Sequence, residues 1–340
     1  MKRIHPFLIV AGLTAAAAYG ARCALRSARR LSLRDRVILI TGGSRGFGLL
    51  LAREAASRGA RVAICARDED ELYRARDELL DRGADVLAVQ CDVTSRPQVE
   101  GMIEGVLRHF GSIDFLVNNA GMITVGPVEE MTAEDYDRAM RVHFAAPLHT
   151  TLAVLPHMKQ RREGRIVNIT SIGGKVAAPH LLPYTASKFA LVGFSEGLRA
   201  ELMKDNVYVT TVVPGLMRTG SPRHAEFKGQ HEKEFAWFAT ADVLPLVSTD
   251  AARMARRTLD AAQYGDAELI EPWPARVQAK LHGLFPGLST DLAGLFTRAL
   301  PGPGGIGRAR ATGAQSDSAL QPEFARQANE AAARANNELS

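Results

Sequence analysis

The sequence predicts an α/β protein built on a doubly wound parallel sheet of about seven strands, with an N-terminal apolar helix and a C-terminal helical extension. Short β-branched runs alternate with stretches of helical periodicity through about 235 residues, which is typical of strand and helix in turn. A glycine-rich loop directly follows the first of these runs. Together the two observations place helices on both faces of one sheet.

The first element, residues 1–34, is an apolar segment with a basic flank. Phe7 to Ala21 is apolar apart from Thr14 and the hydroxyl of Tyr19. The 18 residues without full charge between Arg3 and Arg22 would span about 27 Å as a helix, just short of a hydrocarbon core of about 30 Å. A membrane anchor or an interfacial helix is favoured over a soluble helix. A cleaved signal peptide is disfavoured, because six arginines follow the apolar stretch.

The net charge of +5 is concentrated at the N-terminus. Residues 1–36 contain eight basic side chains and one acidic one, a net of +7, so the rest of the chain sums to −2. A nucleic-acid-binding face spread over the fold is therefore excluded. We expect a membrane-associated protein with its catalytic domain on the cytoplasmic side, and otherwise a cytoplasmic one.

Three scattered cysteines, with no CxxC pair and no HExxH helix, indicate neither a disulfide framework nor a metal site.

Residues 35–272 carry the alternating pattern and form the predicted sheet domain. Helical spacing is seen, for example, in Phe47 to Arg58 and Val99 to Phe110. The predicted strands are Val37 to Ile40, Arg61 to Cys65, Val86 to Gln90, Phe115 to Val117, Arg165 to Ile169, Val207 to Val213 and Glu268 to Ile270.

The alternation stops after Glu271. Residues 273–300 carry an apolar stripe at helical spacing, interrupted by Pro286-Gly287, which predicts two short amphipathic helices that pack over the domain or contact a membrane. Residues 301–340 are predicted to be a flexible tail, with a loose helix from Glu323 to Leu339. The GxGxxG match at Gly302 to Gly307 follows no strand, so we do not interpret it as a nucleotide site.

The first chemical motif is the run Thr41-Gly42-Gly43-Ser44-Arg45-Gly46-Phe47-Gly48, between the first strand and the first helix of the domain. Glycines there let the backbone turn sharply and approach a pyrophosphate, which the free N–H groups at the helix start then bind. The motif predicts a dinucleotide site.

The second strand ends at Cys65-Ala66-Arg67, where dinucleotide folds place the residue that contacts the adenosine ribose. No carboxylate is present at Ala66 to bind a 2′-hydroxyl, whereas Arg67 and Arg45 would pair with a 2′-phosphate. NADP(H) is therefore favoured over NAD(H), against the alternative that both arginines are merely solvated.

The third motif combines Ser171, at the end of a predicted strand, with Tyr184 and Lys188. Tyr184 and Lys188 are four residues apart, so they share a helix face, and an ammonium beside a phenol lowers the phenol's pKa. Tyr184 is then a candidate proton donor at neutral pH. A YxxxK pair alone is common on surface helices, and Ser171 is what gives this one weight.

With these motifs in their order, the chain resembles the short-chain dehydrogenase/reductase family, in its short single-domain subgroup, over about residues 35–272. The resemblance implies a Rossmann-type fold. It further implies that Tyr184 donates the proton to a substrate carbonyl, Ser171 hydrogen-bonds the same oxygen, and Lys188 binds the nicotinamide ribose. The resemblance also implies cofactor contacts elsewhere. Asp92 and Val93 would contact the adenine, and the Asn118 to Gly121 stretch would steady the sheet beside the cofactor, with Asn119, Ala120 and Gly121 in contact with it. Pro214, Gly215 and Thr219 would line the nicotinamide side.

One position departs from the family pattern. The family usually has an asparagine 28 residues before the serine, where it supports a proton path to the lysine, and His143 stands there. An imidazole can donate and accept hydrogen bonds, so a relay with an added pH dependence near 6 to 7 is one expectation. A packed core histidine with slow turnover is the other.

The resemblance predicts an NAD(P)-dependent oxidoreductase acting on a carbonyl or secondary alcohol. In residues 216–246, where the family sets its specificity, Phe227, Phe235, Trp237 and Phe238 suggest an apolar pocket, against the alternative of a packed loop. The competing function is a non-catalytic, cofactor-sensing membrane scaffold on the same fold. Expected partners are a small apolar substrate and a membrane surface, with no nucleic acid, and the sequence allows a homo-oligomer.

Overall fold

The computed structural model describes residues 17, 19–244 and 248–338. Within these residues the strands are β1 (Val37–Thr41), β2 (Arg61–Ala66), β3 (Val86–Gln90), β4 (Phe115–Asn118), β5 (Thr124–Val125), β6 (Gly164–Ile169), β7 (Val207–Pro214), β8 (Leu216–Met217), β9 (Glu226–Phe227), β10 (Ser248–Thr249), β11 (Glu268–Glu271) and β12 (Ala311–Thr312). The helices are α1 (19–28), α2 (Gly46–Ser57), α3 (Glu69–Asp81), α4 (Arg96–Phe110), α5 (Ala133–Met140), α6 (Ala146–Arg161), α7 (Leu182–Leu202), α8 (His231–Ala241), α9 (Ala251–Gln263), α10 (Trp273–Leu284), α11 (Pro286–Thr297), α12 (Gly313–Ser316) and α13 (Glu323–Ala335).

Seven strands form the central sheet in the order β11-β7-β6-β4-β1-β2-β3, and every pair in it is parallel. Alternate side chains of a strand face opposite layers. Ile38 and Ile40 pack towards α2, α3 and α9, whereas Val37 and Leu39 pack towards α4 and α6. The predicted doubly wound sheet and its seven strands are confirmed.

The chain reverses its direction of winding between β1 and β4, which are neighbours in the sheet. At such a switch point the loops after the two strands diverge and leave a crevice at the carboxyl edge. Here those loops are the glycine run after β1 and Asn119 to Gly121 after β4. The fold therefore places the two loops at one crevice.

The aromatic segment forms a small core of its own. Phe227, Phe235 and Phe238 are almost fully buried and contact one another edge to face, with ring centroids 5.4 and 5.9 Å apart. Their partners are Val125 and Ala239. The expected pocket lined by these phenylalanines is therefore wrong, because the side chains fill the space between β9 and α8.

The two predicted helices after residue 272 are present as α10 and α11, but their apolar stripe is exposed. Of their large apolar side chains, Leu284 is 71% and Leu288 60% accessible to solvent. Only Ala275 is buried on α10, and no residue of α11 is. The expectation that these helices pack over the domain holds only for one face of α10, where Ala275 and Ala279 pack against Val213 and Ile270.

Residues 301–338 pack against the domain, where the composition predicts a flexible tail. β12 pairs antiparallel with β9, and Arg310 donates to Asp135 at 2.8 Å. Asp135 also accepts from the buried Lys228 at 2.7 Å, so one carboxylate holds both cations. These long-range contacts order a segment whose local sequence has no strong periodicity.

The second GxGxxG match belongs to this packed segment. Gly229 N–H donates to Gly307 O at 2.9 Å, and Gly305 lies so close to Gly229 that a side chain would overlap its carbonyl. These glycines therefore serve a close backbone contact.

The predicted N-terminal apolar segment lies mostly outside the described residues. The described helix α1 is tied to the domain at its basic end, where Arg26 pairs with Asp266 at 2.7 Å and stacks on Tyr264. Within the described chain no helix combines the length and the apolar character that a membrane span needs.

Candidate active site

The glycine loop between β1 and α2 takes a shape that only glycine allows. Gly42 and Gly46 have φ of +64° and +54°, in the left-handed region. A side chain at Gly48 would overlap Gly42 O and lie 2.6 Å from Asn119 Nδ2. Asn119 Nδ2 in turn donates to Thr41 O and Gly42 O at 3.0 and 3.1 Å. The loop after β4 therefore holds the glycine loop in place.

Thr41 has a structural role in this contact. Its hydroxyl oxygen accepts from the N–H groups of Asn119 and Ala120 at 2.9 and 3.1 Å, and the side chain is buried. Gly121, the next residue, approaches the ring of His143. The structure thus brings the predicted residues of both loops together.

The N-terminus of α2 has the features of an anion site. No acidic residue lies in its first turn, and Arg45 at the N-cap makes no capping hydrogen bond. The helix dipole favours a negative group there. The loop and this helix end fit the pyrophosphate of a dinucleotide.

The two arginines predicted for a 2′-phosphate differ in their surroundings. Arg67 follows β2 and is exposed. Arg45 pairs with Glu71 at 2.6 Å. Arg67 is therefore the more available of the two.

Asp92 and Val93, the residues predicted for the adenine, lie in a turn after β3. Asp92 Oδ1 accepts from Thr94 N–H and Thr94 Oγ1 at 2.9 and 2.8 Å, and Val93 is buried. This bonding fixes the turn at the edge of the crevice.

Ser171, Tyr184 and Lys188 converge beyond the end of β6. Ser171 Oγ accepts from Gly173 N–H at 3.0 Å. Lys188 Nζ donates to Ile169 O at 2.9 Å and lies 5.6 Å from the centroid of the Tyr184 ring. Ser171 and Lys188 are buried and Tyr184 is partly buried, and the predicted triad is therefore assembled in one cluster.

Burial sets the protonation of this cluster. It raises the pKa of Tyr184, against the opposing effect of a hydrogen bond with Ser171. It also lowers the pKa of Lys188 to about 7. The expected lowering of the Tyr184 pKa is thus wrong for this structure, because loss of hydration outweighs the hydrogen bond with Ser171. Tyr184 is protonated at neutral pH, as a proton donor must be.

His143 lies in a π-helical turn, Arg141–Ala145, and is 1% exposed. Its Nε2 accepts from Met122 N–H at 3.1 Å. Its Nδ1 lies 2.8 Å from Ser187 Oγ, which itself donates to Tyr184 O. Nδ1 must therefore be the donor to Ser187, and the ring is neutral.

This bonding corrects the expected pH dependence at His143. Both ring nitrogens are occupied, and burial together with the charge of Lys188 holds the pKa of His143 well below its usual value. A pH dependence near 6 to 7 from this residue is excluded, because the ring is already neutral there. The ring instead packs edge to face on Tyr184, with centroids 5.3 Å apart.

The residues predicted for the nicotinamide side follow β7. Gly215 N–H donates to Glu271 O at 2.7 Å. Thr219 is buried, and its carbonyl accepts from Asn336 Nδ2 at 3.1 Å.

Sequence reasoning missed two sets of residues at this site. Ser187 links His143 to the Tyr184 helix, and a serine in YxxxK spacing gives no signal of that contact. Residues 336–338 reach the glycine loop, where Gly46 N–H donates to Asn336 O at 2.8 Å. Nothing local in the sequence marks a contact that joins positions almost 300 residues apart.

Comparison with known proteins agrees with this geometry. A family model described as short chain dehydrogenase matches residues 36–228. A dehydrogenase/reductase SDR family protein 7-like from Anopheles gambiae is 42% identical over 57% of this chain and 62% of its own length. A putative ketoacyl reductase from Streptomyces coelicolor is 38% identical over 54% of this chain and 71% of its own.

Among solved structures, a variant of actinorhodin polyketide ketoreductase with NADPH has a TM-score of 0.62 and 30% identity. The match covers 70% of this chain and 95% of that one. The family model, the parallel sheet and the assembled site agree: this chain belongs to the short-chain dehydrogenase/reductase family of oxidoreductases.

Proposed function

We propose that this chain is an NADP(H)-dependent oxidoreductase that interconverts a ketone and a secondary alcohol on an apolar acyl chain. The observation that carries the proposal is the cluster of Ser171, Tyr184 and Lys188 beside the glycine-loop crevice, in which Ser171 and Lys188 are buried and Tyr184 is partly buried. A bound nicotinamide dinucleotide supplies or accepts the hydride.

The protein's own residues handle the proton. Tyr184, protonated at neutral pH, donates its hydroxyl hydrogen to the carbonyl oxygen of the substrate. Ser171 Oγ accepts from Gly173 and hydrogen-bonds Tyr184, so its hydroxyl lies where it can donate to the same substrate oxygen. Lys188 uses one of its hydrogens on Ile169 O, and the others are available to ribose hydroxyls. Its charge also favours the phenolate that remains after proton transfer.

The substrate class rests on two similar proteins. Both the Streptomyces coelicolor protein and the solved ketoreductase are named for reduction of ketones. The direct experiment follows NADPH consumption by the purified full-length protein with 3-ketoacyl thioesters of increasing chain length. Turnover that improves with chain length supports the proposal. Tight NADPH binding without turnover on any ketone would instead support the non-catalytic scaffold.

The preference for NADP(H) rests on Arg67, which is exposed at the end of β2 with no carboxylate at Ala66. Arg67→Ala is expected to weaken NADPH binding by about 10- to 100-fold, because a charge-assisted hydrogen bond to a phosphate is lost. NADH binding should be unchanged, since that cofactor has no 2′-phosphate.

The matched control is Arg108→Ala, an exposed arginine in the last turn of α4. Dissociation constants for both cofactors by fluorescence titration provide the measurement. Equal losses for NADPH and NADH in Arg67→Ala would contradict the assignment.

We further propose that the protein associates with a membrane surface through its N-terminal apolar segment and helices α10 and α11. These two helices and the residue between them expose Leu284, Phe285, Leu288, Leu292 and Phe296, an unusual apolar patch for a soluble surface. Residues 273–300 carry Arg276, Lys280 and Arg298 but only one acidic residue, Asp291. Apolar side chains with a basic excess are typical of interfacial helices on anionic lipid.

A liposome assay tests this location. The double variant Leu288→Glu, Leu292→Glu should lower sedimentation of the full-length protein with anionic vesicles by about tenfold or more, because two apolar contacts are lost. Leu152→Glu, at an exposed leucine of α6, is the control. Unchanged sedimentation of the double variant would show that helices α10 and α11 do not contact the membrane.

A further inference from the structure

The C-terminal helix α13 lies along the segment that follows Gly215. Asn329 Nδ2 donates to Ala239 O at 3.0 Å, which ties α13 to α8. Ala333 is fully buried against Gly220, and a side chain at Gly220 would overlap the Ala333 backbone. This contact directs the end of α13 into the crevice.

The chain after α13 turns directly onto the cofactor loop. Asn337 has a left-handed φ of +58°, and Glu338 N–H donates to Ala333 O at 2.9 Å, a common way to end a helix. Asn336 O accepts from Gly46 N–H at 2.8 Å, and Asn337 Nδ2 donates to Ser44 O at 3.0 Å. The turn therefore occupies the first N–H group of α2.

The same turn also reaches the opposite wall of the crevice. Asn336 Nδ2 donates to Thr219 O at 3.1 Å. One residue thus connects the glycine loop, on the pyrophosphate side, to the segment on the nicotinamide side.

Glu338 adds a negative charge at the anion site. It is 3% exposed, and its Oε1 lies so close to Gly46 that a side chain there would overlap it. Oε2 is 3.1 Å from His224 Nε2 and 3.6 Å from Arg45 Nε. A carboxylate at a helix N-terminus between two basic side chains occupies the kind of site that a phosphate prefers.

We propose that residues 333–338 act as an intramolecular competitor of the dinucleotide, and that the cofactor binds only when this segment leaves the glycine loop. The inference rests on the proposed function and adds regulation of the same site. Few groups hold Glu338: Oε2 has the contacts with His224 and Arg45 given above, and the backbone oxygen lies 3.0 Å from His224 Nε2. Displacement costs a few hydrogen bonds, which the cofactor replaces with its own.

The expected size of the effect follows from the population of the open state. An apparent dissociation constant equals the intrinsic one divided by the binding-competent fraction, so a segment seated about nine-tenths of the time weakens binding about tenfold.

The first test weakens the packing of α13 against Gly220 without changing any charge at the crevice. Ala333→Leu in the full-length protein adds bulk where the helix backbone touches Gly220. Ala331→Leu adds the same bulk on the exposed face of α13. NADPH affinity should rise about tenfold in Ala333→Leu and stay unchanged in Ala331→Leu. Equal affinity in the two variants and the parent would overturn the proposal.

The second test uses the unmodified protein and needs no turnover. Hydrogen exchange with and without NADP⁺ should show faster exchange in residues 323–338 and slower exchange in residues 41–49 when the cofactor is added. Unchanged or slower exchange in 323–338, with protection in 41–49, would overturn the competitor while leaving the proposed function intact. If no variant binds NADPH or NADP⁺, the proposed function fails and the competitor fails with it.

Discussion

Replacing Tyr184 by phenylalanine should reduce ketone turnover by about 10²- to 10⁴-fold, because its phenol is the proton donor. The substitution removes one hydroxyl and keeps the ring that packs against His143 and Gly173. The free energy of unfolding and the affinity for NADPH should therefore change little. Steady-state kinetics, NADPH titration and chemical denaturation of the variant measure these three quantities.

Tyr73→Phe is the matched control for this variant, since Tyr73 is a partly exposed tyrosine on α3. It should retain the activity of the parent. If Tyr184→Phe turned over substrate as fast as Tyr73→Phe, the assignment of the proton donor would be wrong.

Gly48→Ala should remove most dinucleotide binding. Its added methyl group would overlap Gly42 O and lie 2.6 Å from Asn119 Nδ2, so the loop after β1 must shift. A displacement of this kind commonly costs about 100-fold in binding or rate. Overpacking should also lower the free energy of unfolding by about 1–3 kcal/mol.

Gly105→Ala controls for the loss of a glycine in a helix. Gly105 lies in α4, and an added methyl group there would meet nothing within 4 Å. This variant should bind NADPH normally and gain up to about 1 kcal/mol in stability. Titration and denaturation of the two variants measure both effects. NADPH binding by Gly48→Ala at the affinity of Gly105→Ala would contradict the role of the loop.

The sheet could be predicted from sequence because its signals are local. Each strand is a short β-branched run, and each helix that covers the sheet has apolar residues at helical spacing. The glycine loop and the triad could also be predicted, because these motifs are identified by their positions relative to the predicted strands and helices. Position after β1 distinguishes the run at Thr41 from the match at Gly302, which the structure uses in a backbone contact.

The remaining features depend on partners that are distant in sequence. The protonation of His143 depends on Met122 and Ser187, and a histidine at that position carries no sign of which atoms face its ring. The phenylalanines of residues 227–238 could line a pocket or fill a core, and composition cannot distinguish the two. Glu338 lies beside Gly46 because α13 packs against Gly220, and that contact cannot be seen in the local sequence.

In the proposed reaction a hydride passes directly between the nicotinamide and a ketone at the Tyr184 site. NADPH that carries deuterium on the transferred position labels the alcohol product, which is analysed by mass spectrometry. We predict one deuterium on the carbinol carbon with the parent protein, and labelled alcohol formed about 10²- to 10⁴-fold more slowly with Tyr184→Phe. An alcohol product without deuterium, or labelled alcohol formed as fast by Tyr184→Phe as by the parent, would show that the reaction is not this one.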